Sequence, residues 1–216
     1  YWAWCAARRD AVFYAILRHR STEAGRELLK DYSGIVMADG YAVYQALARG
    51  EPGFSLANCW VHARRKFLEA KDSYPDEAVP FLDSIGKLFE VDRDAPAPPL
   101  NATEPERVAA LALRAELRRN RSRPIIRDIL NPAYKTKPEV LPQSSIGRAI
   151  AYMMKQWKGL TLFLGDPRIP LDNNHAERAL RGVVLGRKNH YGSRSLLGAR
   201  LAALFYSLFE SAKLSG

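Results

Sequence analysis

A short apolar run, Ile35–Ala38, constrains the fold of this chain more than any other segment. It contains no polar residue and ends abruptly at Asp39-Gly40, which is typical of a strand buried on both faces, as in a parallel sheet. Helix, strand and helix patterns then follow in turn over residues 41–48, 56–61 and 63–71. Strand, helix, strand and helix in this order predict an α/β layered fold.

The residues before this run carry their own pattern. Two aromatic and β-branched stretches, Tyr1–Ala6 and Ala11–Leu17, predict a β-hairpin. A helix capped by Ser21 or Thr22 is then expected to run to about residue 30. The chain therefore starts with β structure and continues into the α/β alternation.

Prolines mark a change of organisation between residues 75 and 105. Helical patterns dominate there and shortly after, over residues 78–91, 104–120 and 125–130. We therefore predict three parts. Residues 1–72 form the first part of an α/β domain, residues 73–143 a mostly helical insertion, and residues 144–216 the closing part of the α/β domain.

The closing part contains three predicted helices. The first is capped by Ser144 or Ser145 and carries an apolar stripe at helical spacing, and the second begins near residues 172–174 and ends near residue 181. The last helix has its own stripe, formed by Leu197, Leu201, Leu204, Leu208 and Ala212. We expect both stripes to face the core.

The charge is strongly basic and unevenly distributed. With 33 Lys and Arg against 23 Asp and Glu, the formal net charge is +10. Residues 148–216 hold eleven basic and four acidic side chains, and residues 114–127 hold six arginines and one acid. Such a surface attracts polyanions, most commonly nucleic acid, although a solvated basic face has the same composition. The two distant cysteines favour a reducing compartment, and no segment has the length of a membrane span.

Two acidic residues are candidates for chemistry. Asp39 follows a buried strand, where side chains enter the crevice of an α/β sheet and a carboxylate can bind Mg²⁺. Its structural interpretation is an ordinary Asp-Gly turn. Glu177 lies among Asn, His and Arg residues at a helix start. Its structural interpretation is a capping box, with Asn174 as the N-cap residue and Glu177 at the third helical position.

Two further segments carry polar and basic residues. Cys59 and His62 have the spacing of half a zinc site, but the sequence has no second half with similar spacing, so a structural zinc is not expected. The structural interpretation is a buried cysteine and a hydrogen-bonded histidine at a strand end, and we prefer it for Cys59. The basic residues that follow them at a helix start could hold phosphates. Residues 186–193 (GRKNHYGS) read as a glycine-flanked loop suited to phosphate or base contacts, or as a solvated loop.

Taken together, these residues resemble the transposases of the insertion sequence sixty-six family. The matching segments appear in the family's order and span most of the chain: residues 34–44 (GIVMADGYAVY), 59–67 (CWVHARRKF), 171–181 (LDNNHAERALR), 186–193 (GRKNHYGS) and the closing helix. Each segment alone is weakly specific, whereas five in sequence are strongly specific.

The resemblance implies a ribonuclease-H-like mixed sheet flanked by helices, and an Asp-Asp-Glu site that cleaves and joins DNA at the ends of a mobile element. Asp39 matches the second acid and Glu177 the third, with two Mg²⁺ ions expected and Mn²⁺ possible. The first strand, with the first Asp, is expected before Tyr1, so this chain alone is expected to be inactive.

The resemblance also implies further roles. His62, Asn173 and Asn174 would support the acids. The DNA-contacting residues would be Arg64, Arg65, Lys66, Arg178, Arg181, Arg187, Lys188 and Asn189. A homo-oligomer, accessory proteins encoded by the element and a bacterial cytoplasmic, nucleoid-associated location are expected, with no membrane partner.

Three alternatives stay open. The first is a decayed, catalytically dead transposase remnant that still binds DNA. The second is another ribonuclease-H-like nuclease, such as a junction resolvase, although the Asn-Asn-x-Ala-Glu-Arg pattern speaks against it. The third is a metal-independent nucleic-acid-binding module.

Overall fold

An antiparallel hairpin begins the fold, as predicted. A computed structural model of the chain describes residues 1–50, 53–189 and 195–215. Strand β1 (Trp2–Ala7) pairs with β2 (Val12–Leu17), with Trp4 opposite Ala15 and Cys5 opposite Tyr14. Because side chains alternate along a strand, the hairpin presents different residues to its two sides.

The described residues form two compact units with mixed α/β structure. The first contains residues 1–34, 41–54 and 173–216, and the second contains residues 35–40 and 55–172. Besides the hairpin, the first unit holds helices α1 (Thr22–Leu29), α2 (Ala42–Gly50), α9 (Asn174–Asn189) and α10 (Leu196–Ser215). Ser21 caps α1 by accepting a hydrogen bond from Ala24 N, which confirms the predicted start of that helix.

Helices cover both faces of the hairpin in the first unit. On one face Trp4 packs in a cluster with Val43 and Leu47, which come from α2. On the other face Tyr14 packs in a second cluster with Val183 and Ala203, which come from α9 and α10. This double coverage explains why both strands are rich in aromatic and β-branched residues.

The core of α10 differs from the prediction. Its buried residues are Ala199 and Ala203, whereas the predicted stripe is exposed, with Leu197 at 68% and Leu208 at 57%. The small alanines let α10 approach the hairpin closely, so that Ser207 Oγ accepts a hydrogen bond from Tyr14 N at 2.9 Å. The expectation that the leucine stripe faces the core is therefore wrong.

The second unit contains most of the two strands of the predicted α/β alternation, whereas α2, which lies between them in sequence, belongs to the first unit. Strands β3 (Gly34–Ala38) and β4 (Phe54–Asn58) form a two-stranded sheet. Gly34 N–H bonds to Gly53 O near one end of the pair, and Cys59 N–H bonds to Ala38 O at the other. The strands therefore run in the same direction, as the sequence predicted. Residues 35–37 are only half-buried, because each strand pairs with one neighbour among the described residues.

Helices make up most of the second unit. They are α3 (Trp60–Ala70), α4 (Pro75–Asp94), α5 (Glu104–Leu117), α6 (Arg123–Thr136), α7 (Ser145–Lys155) and α8 (Trp157–Thr161), with a π-helical turn (Arg118–Ser122) between α5 and α6 and a 3₁₀ turn (Leu162–Leu164) after α8. Their core includes Trp60, Phe67, Ile129 and Ile150. The predicted helical patterns are confirmed, and the three-part division remains a prediction.

The start of α3 is earlier than the sequence predicted. The apolar pattern predicts a strand over residues 56–61, but β4 ends at Asn58, Cys59 is the N-cap residue and Trp60 begins the helix. The Trp60 backbone N–H donates to Leu171 O at 2.8 Å, and its indole N–H donates to Leu160 O at 2.8 Å. These contacts come from distant parts of the chain, so local pattern could not predict them.

No helix in the three described ranges has the length and hydropathy needed to cross a membrane.

Candidate active site

Asp39 lies at the carboxyl end of β3, directly after the buried Ala38. It is half-buried, and its backbone carbonyl accepts a hydrogen bond from the Tyr152 hydroxyl at 3.0 Å. Burial raises the pKa of Tyr152, so the hydroxyl keeps its proton and stays a donor. The turn that carries Asp39 is therefore attached to helix α7.

Gly40 allows this close approach. It has a φ of 86°, which glycine adopts without strain. A Cβ at this position would overlap Gln156 Oε1 and lie 2.9 Å from the Tyr152 hydroxyl. Any larger residue would push these two side chains away from the Asp39 turn.

Sequence reasoning missed Tyr152 and Gln156. They lie four residues apart at the end of α7, so they occupy the same side of the helix. Gln156 is 5% exposed and hydrogen-bonds the Tyr152 side chain. The burial of Gln156 is visible only in the structure, so no local signal in the sequence identifies this pair.

Asn58 adds a buried amide at the neighbouring strand end. It is the last residue of β4 and is 5% exposed. Its Nδ2 atom has no hydrogen-bond partner among the described residues. Buried polar groups normally have partners, so this amide marks the strand ends as a polar site rather than ordinary core.

Helix α3 begins at the same edge of the sheet and carries four predicted residues. His62 lies in its first turn and is half-buried, as is Arg64, while Arg65 is exposed. Lys66 forms an ion pair with Glu69 at 2.8 Å. The structure thus places the basic run on a helix that starts beside the end of β3, because Cys59 N–H bonds to Ala38 O.

Glu177 lies in the first turns of α9, one position further from the cap than predicted. Glu177 N–H donates to Asn173 O at 3.1 Å, which makes Asn173 the N-cap residue and Asn174 the first helical residue. Glu177 is therefore the fourth helical residue, and the capping-box interpretation with Asn174 as N-cap is wrong. Asn173 Oδ1 is buried and has no hydrogen-bond partner in the described part of the chain.

The remaining predicted contacts lie further along α9. Arg178 and Arg181 are exposed. The helix continues to Asn189, so the prediction that residues 186–189 begin a loop is wrong. The side chains of Arg187, Lys188 and Asn189 and the segment 190–194 lie outside what the structure describes.

Asp39 belongs to the second unit and Glu177 to the first. Within residues 1–50, 53–189 and 195–215, no three His, Cys, Asp or Glu side chains form a group that could hold a metal ion. Asp39 thus lies in a turn that Tyr152 holds, and Glu177 lies in the first turns of α9.

Comparison with known proteins assigns the chain to a family. The sequence pattern described as "Transposase IS66 family" matches residues 1–201. The chain belongs to the IS66 transposase family. This membership confirms the resemblance that the five segments indicated.

Three relatives from Sinorhizobium fredii illustrate the similarity. "Uncharacterized protein y4jD" is 32% identical over 99% of this chain, "Uncharacterized protein y4hP" 31% over 95%, and "Uncharacterized protein y4qI" 32% over 100%. The chain covers 41%, 38% and 41% of their respective lengths. It thus spans about two fifths of these IS66 relatives. No solved structure matches the chain.

Proposed function

We propose that this chain is part of the catalytic region of a DNA transposase that cleaves and joins phosphodiesters at mobile-element ends. The observation that carries the proposal is the IS66 transposase match over residues 1–201. We further propose a ribonuclease-H-like arrangement. The antiparallel hairpin and the parallel β3–β4 pair are compatible with its mixed sheet.

Asp39 supports this chemistry by its position. A carboxylate at the carboxyl end of a strand lies where α/β folds place their sites. Carboxylate oxygens are the ligands that Mg²⁺ prefers, so Asp39 and Glu177 fit this ion and would hold it. When bound, two such ions stabilise the attacking and leaving oxygens of an in-line displacement at phosphorus.

The surrounding residues have separate tasks in this proposal. Tyr152 and Gln156 fix the turn that carries Asp39 through the 3.0 Å bond to its carbonyl and the contact with Gly40. His62 supports the same edge, whereas Asn173 and Asn174 support Glu177 at the start of α9. A carboxylate held in one place loses little entropy when it binds a cation, which favours catalysis.

Basic side chains would bind the DNA backbone beside the acids. Arg65, Arg178 and Arg181 are exposed and can reach phosphate oxygens. Arg64, Lys66, Arg187, Lys188 and Asn189 complete the proposed set. Such contacts position DNA without reading its sequence, so sequence recognition is assigned to other parts of the longer protein.

Asp39 and Glu177 supply two acids of the proposed triad, and we propose that the first acid, the oligomer contacts and accessory proteins come from outside this chain. The catalytic test therefore uses the full-length protein. We expect Asp39→Asn and Glu177→Gln each to lower Mg²⁺-dependent cleavage of element-end DNA by more than the roughly 10–100-fold that loss of a supporting residue costs. DNA binding measured without divalent cations should remain.

Two controls make this test specific. Asp31→Asn replaces an exposed carboxylate by an amide, as Asp39→Asn does, and should leave cleavage unchanged. Cleavage at the wild-type rate by either catalytic variant would refute the proposal. If the wild-type protein binds DNA but cleaves it with neither Mg²⁺ nor Mn²⁺, the DNA-binding remnant becomes the better hypothesis.

A further inference from the structure

Of the six arginines between residues 114 and 127, three have carboxylate partners and three have none among the described residues. Arg114 and Arg118 are 3% and 2% exposed, and both donate to the Asp92 carboxylate. Arg121 is exposed and pairs with Asp94 at 2.5 Å. The remaining three, Arg119, Arg123 and Arg127, are all exposed.

These three arginines form a row on one continuous helical segment. They are four residues apart, and the π-helical turn leads directly into α6, so each lies about one turn from the next. We call Arg119, Arg123 and Arg127 the basic ridge. At 1.5 Å per residue it is about 12 Å long.

No residue of the basic ridge forms an ion pair with an acid in the part of the chain that the structure describes. This differs from Arg121 and Lys66, which are also on helices and have carboxylate partners. Like charges one turn apart repel each other. Binding a partner with closely spaced negative charges therefore removes this repulsion and is electrostatically favourable for a row of unpaired cations.

The ridge is held on a rigid support. Ile126, Ile129 and Ala133 bury the opposite side of α6 in the core of the second unit. Arg118 anchors the π-helical turn by donating to Phe163 O and Ile169 O at 3.0 and 2.8 Å, in addition to Asp92. The exposed cations thus project from a helix whose position is fixed before any ligand binds.

We propose that the basic ridge binds the phosphate backbone of duplex DNA. The choice of DNA as the polyanion rests on the proposed function. A length of about 12 Å corresponds to roughly three to four base pairs at 3.4 Å each, so one duplex can contact the whole ridge. Contacts of this kind add affinity without sequence specificity. The ridge residues lie on α6 and the turn before it, whereas Asp39 follows β3 and Glu177 lies on α9.

Salt dependence of DNA binding tests the ridge. The measured species is the full-length protein, with a fluorescent 30-base-pair duplex of random sequence, in EDTA, from 50 to 200 mM salt. We expect Arg119→Gln with Arg123→Gln and Arg127→Gln to reduce the slope of log K against log salt by about 2.7, since each lost phosphate contact contributes about 0.9. Affinity at 100 mM salt should fall at least about tenfold.

A matched control removes the same charge elsewhere. Lys71, Lys87 and Arg93 are exposed, belong to the same unit and form no ion pair among the described residues. Their triple Gln variant should keep a slope within about one of the wild-type value. The triple Lys variant of the ridge should retain most of the affinity, because charge is conserved.

Several results would overturn the inference. The first is a triple Gln variant of the ridge whose slope of log K against log salt equals that of the wild type. The second is an equal loss of slope in the control variant, and the third is a triple Lys variant that binds DNA as weakly as the triple Gln variant. If the triple Gln variant fails to fold, as judged by circular dichroism, Arg123→Gln alone must still change the slope by about 0.9. Because no divalent cation is present, the outcome is independent of cleavage. Failure of the ridge would leave the Asp39 and Glu177 test intact, and the reverse also holds.

Discussion

Asp92 should contribute more to stability than any other acid in the second unit. Its carboxylate is 20% exposed and accepts from Arg114 at 2.5 Å and from Arg118 at 2.7 Å. Burial lowers the pKa of Arg118, and the charge of Asp92 opposes that shift. The Asp92→Ala variant would leave two buried guanidinium groups without their shared counterion.

The expected cost follows from that geometry. Removing one partner of a buried ion pair costs about 3–5 kcal/mol, because the other charge stays buried and unpaired. Asp92 is partly exposed and Arg118 keeps three backbone acceptors, Phe163, Asp166 and Ile169, so the lower end, about 3 kcal/mol, applies. For a chain of this length, that corresponds to a fall in Tm of roughly 6–12 °C.

Asp94 supplies a control two residues away on the same helix. Its pair with Arg121 has side chains that are 51% and 48% exposed, and exposed pairs contribute about 0–1 kcal/mol. Urea unfolding followed by circular dichroism at 222 nm should therefore separate Asp92→Ala from Asp94→Ala by about 2 kcal/mol or more. Asp92→Asn, which keeps the shape and loses the charge, should resemble Asp92→Ala. Equal free energies of unfolding for the Asp92 and Asp94 variants would refute the reasoning.

Three further outcomes are expected. Burial raises the pKa of the Cys5 thiol from 9.0 to about 12, so iodoacetamide at pH 8 should alkylate Cys5 at least about tenfold more slowly than a free thiol. Mass spectrometry follows this reaction, and alkylation at the rate of a free thiol would contradict the burial. Ser207→Ala removes the acceptor of Tyr14 N–H and should cost about 1–3 kcal/mol and speed hydrogen exchange at that amide. Tyr152→Phe loses the hydrogen bond to the Asp39 carbonyl and should slow cleavage by the full-length protein about 10–100-fold. Its free energy of unfolding in urea should stay within about 1 kcal/mol of the wild-type value. A purely structural role would instead lower the free energy of unfolding and leave cleavage by the folded protein unchanged.

Local sequence patterns predicted the elements whose ends are set by nearby residues. The hairpin, the parallel β3 strand and the Ser21 cap of α1 all depend on side-chain alternation or on a polar residue before a helix. The start of α3 depends instead on Leu171 and Leu160, which accept hydrogen bonds from Trp60 and follow it by 111 and 100 residues. No window of sequence contains that information.

Helix α10 shows why periodicity alone does not identify a core face. Leucines at 197, 201, 204 and 208 have helical spacing, yet the opposite face, with Ala199 and Ala203, packs on the hairpin. Hydropathy favours the leucines, whereas close packing beside a strand favours small side chains, because Ser207 must reach the β2 backbone. The second requirement becomes visible only when the strand is in place.

The candidate site was predictable to the same limited degree. Asp39 could be proposed because a carboxylate directly after an apolar, strand-like run is informative in itself. Tyr152 and Gln156 act through contacts with a glycine more than a hundred residues earlier, so neither has a local pattern that identifies it. The turn and the functional interpretations of Asp39-Gly40 are also compatible, since the positive φ of Gly40 permits these two side chains to approach.

Counting charge overestimates what a basic segment can offer to DNA. Residues 114–127 contain six arginines in sequence, but Asp92, which lies 22 and 26 residues before them, neutralises Arg114 and Arg118 inside the protein. Their loss should reduce stability, and through stability any function, whereas loss of Arg123 should change the salt dependence of binding in a folded protein. Arginines in one run can thus be told apart by the quantity that their substitution changes. Burial and carboxylate partners, rather than position in the run, determine which quantity that is.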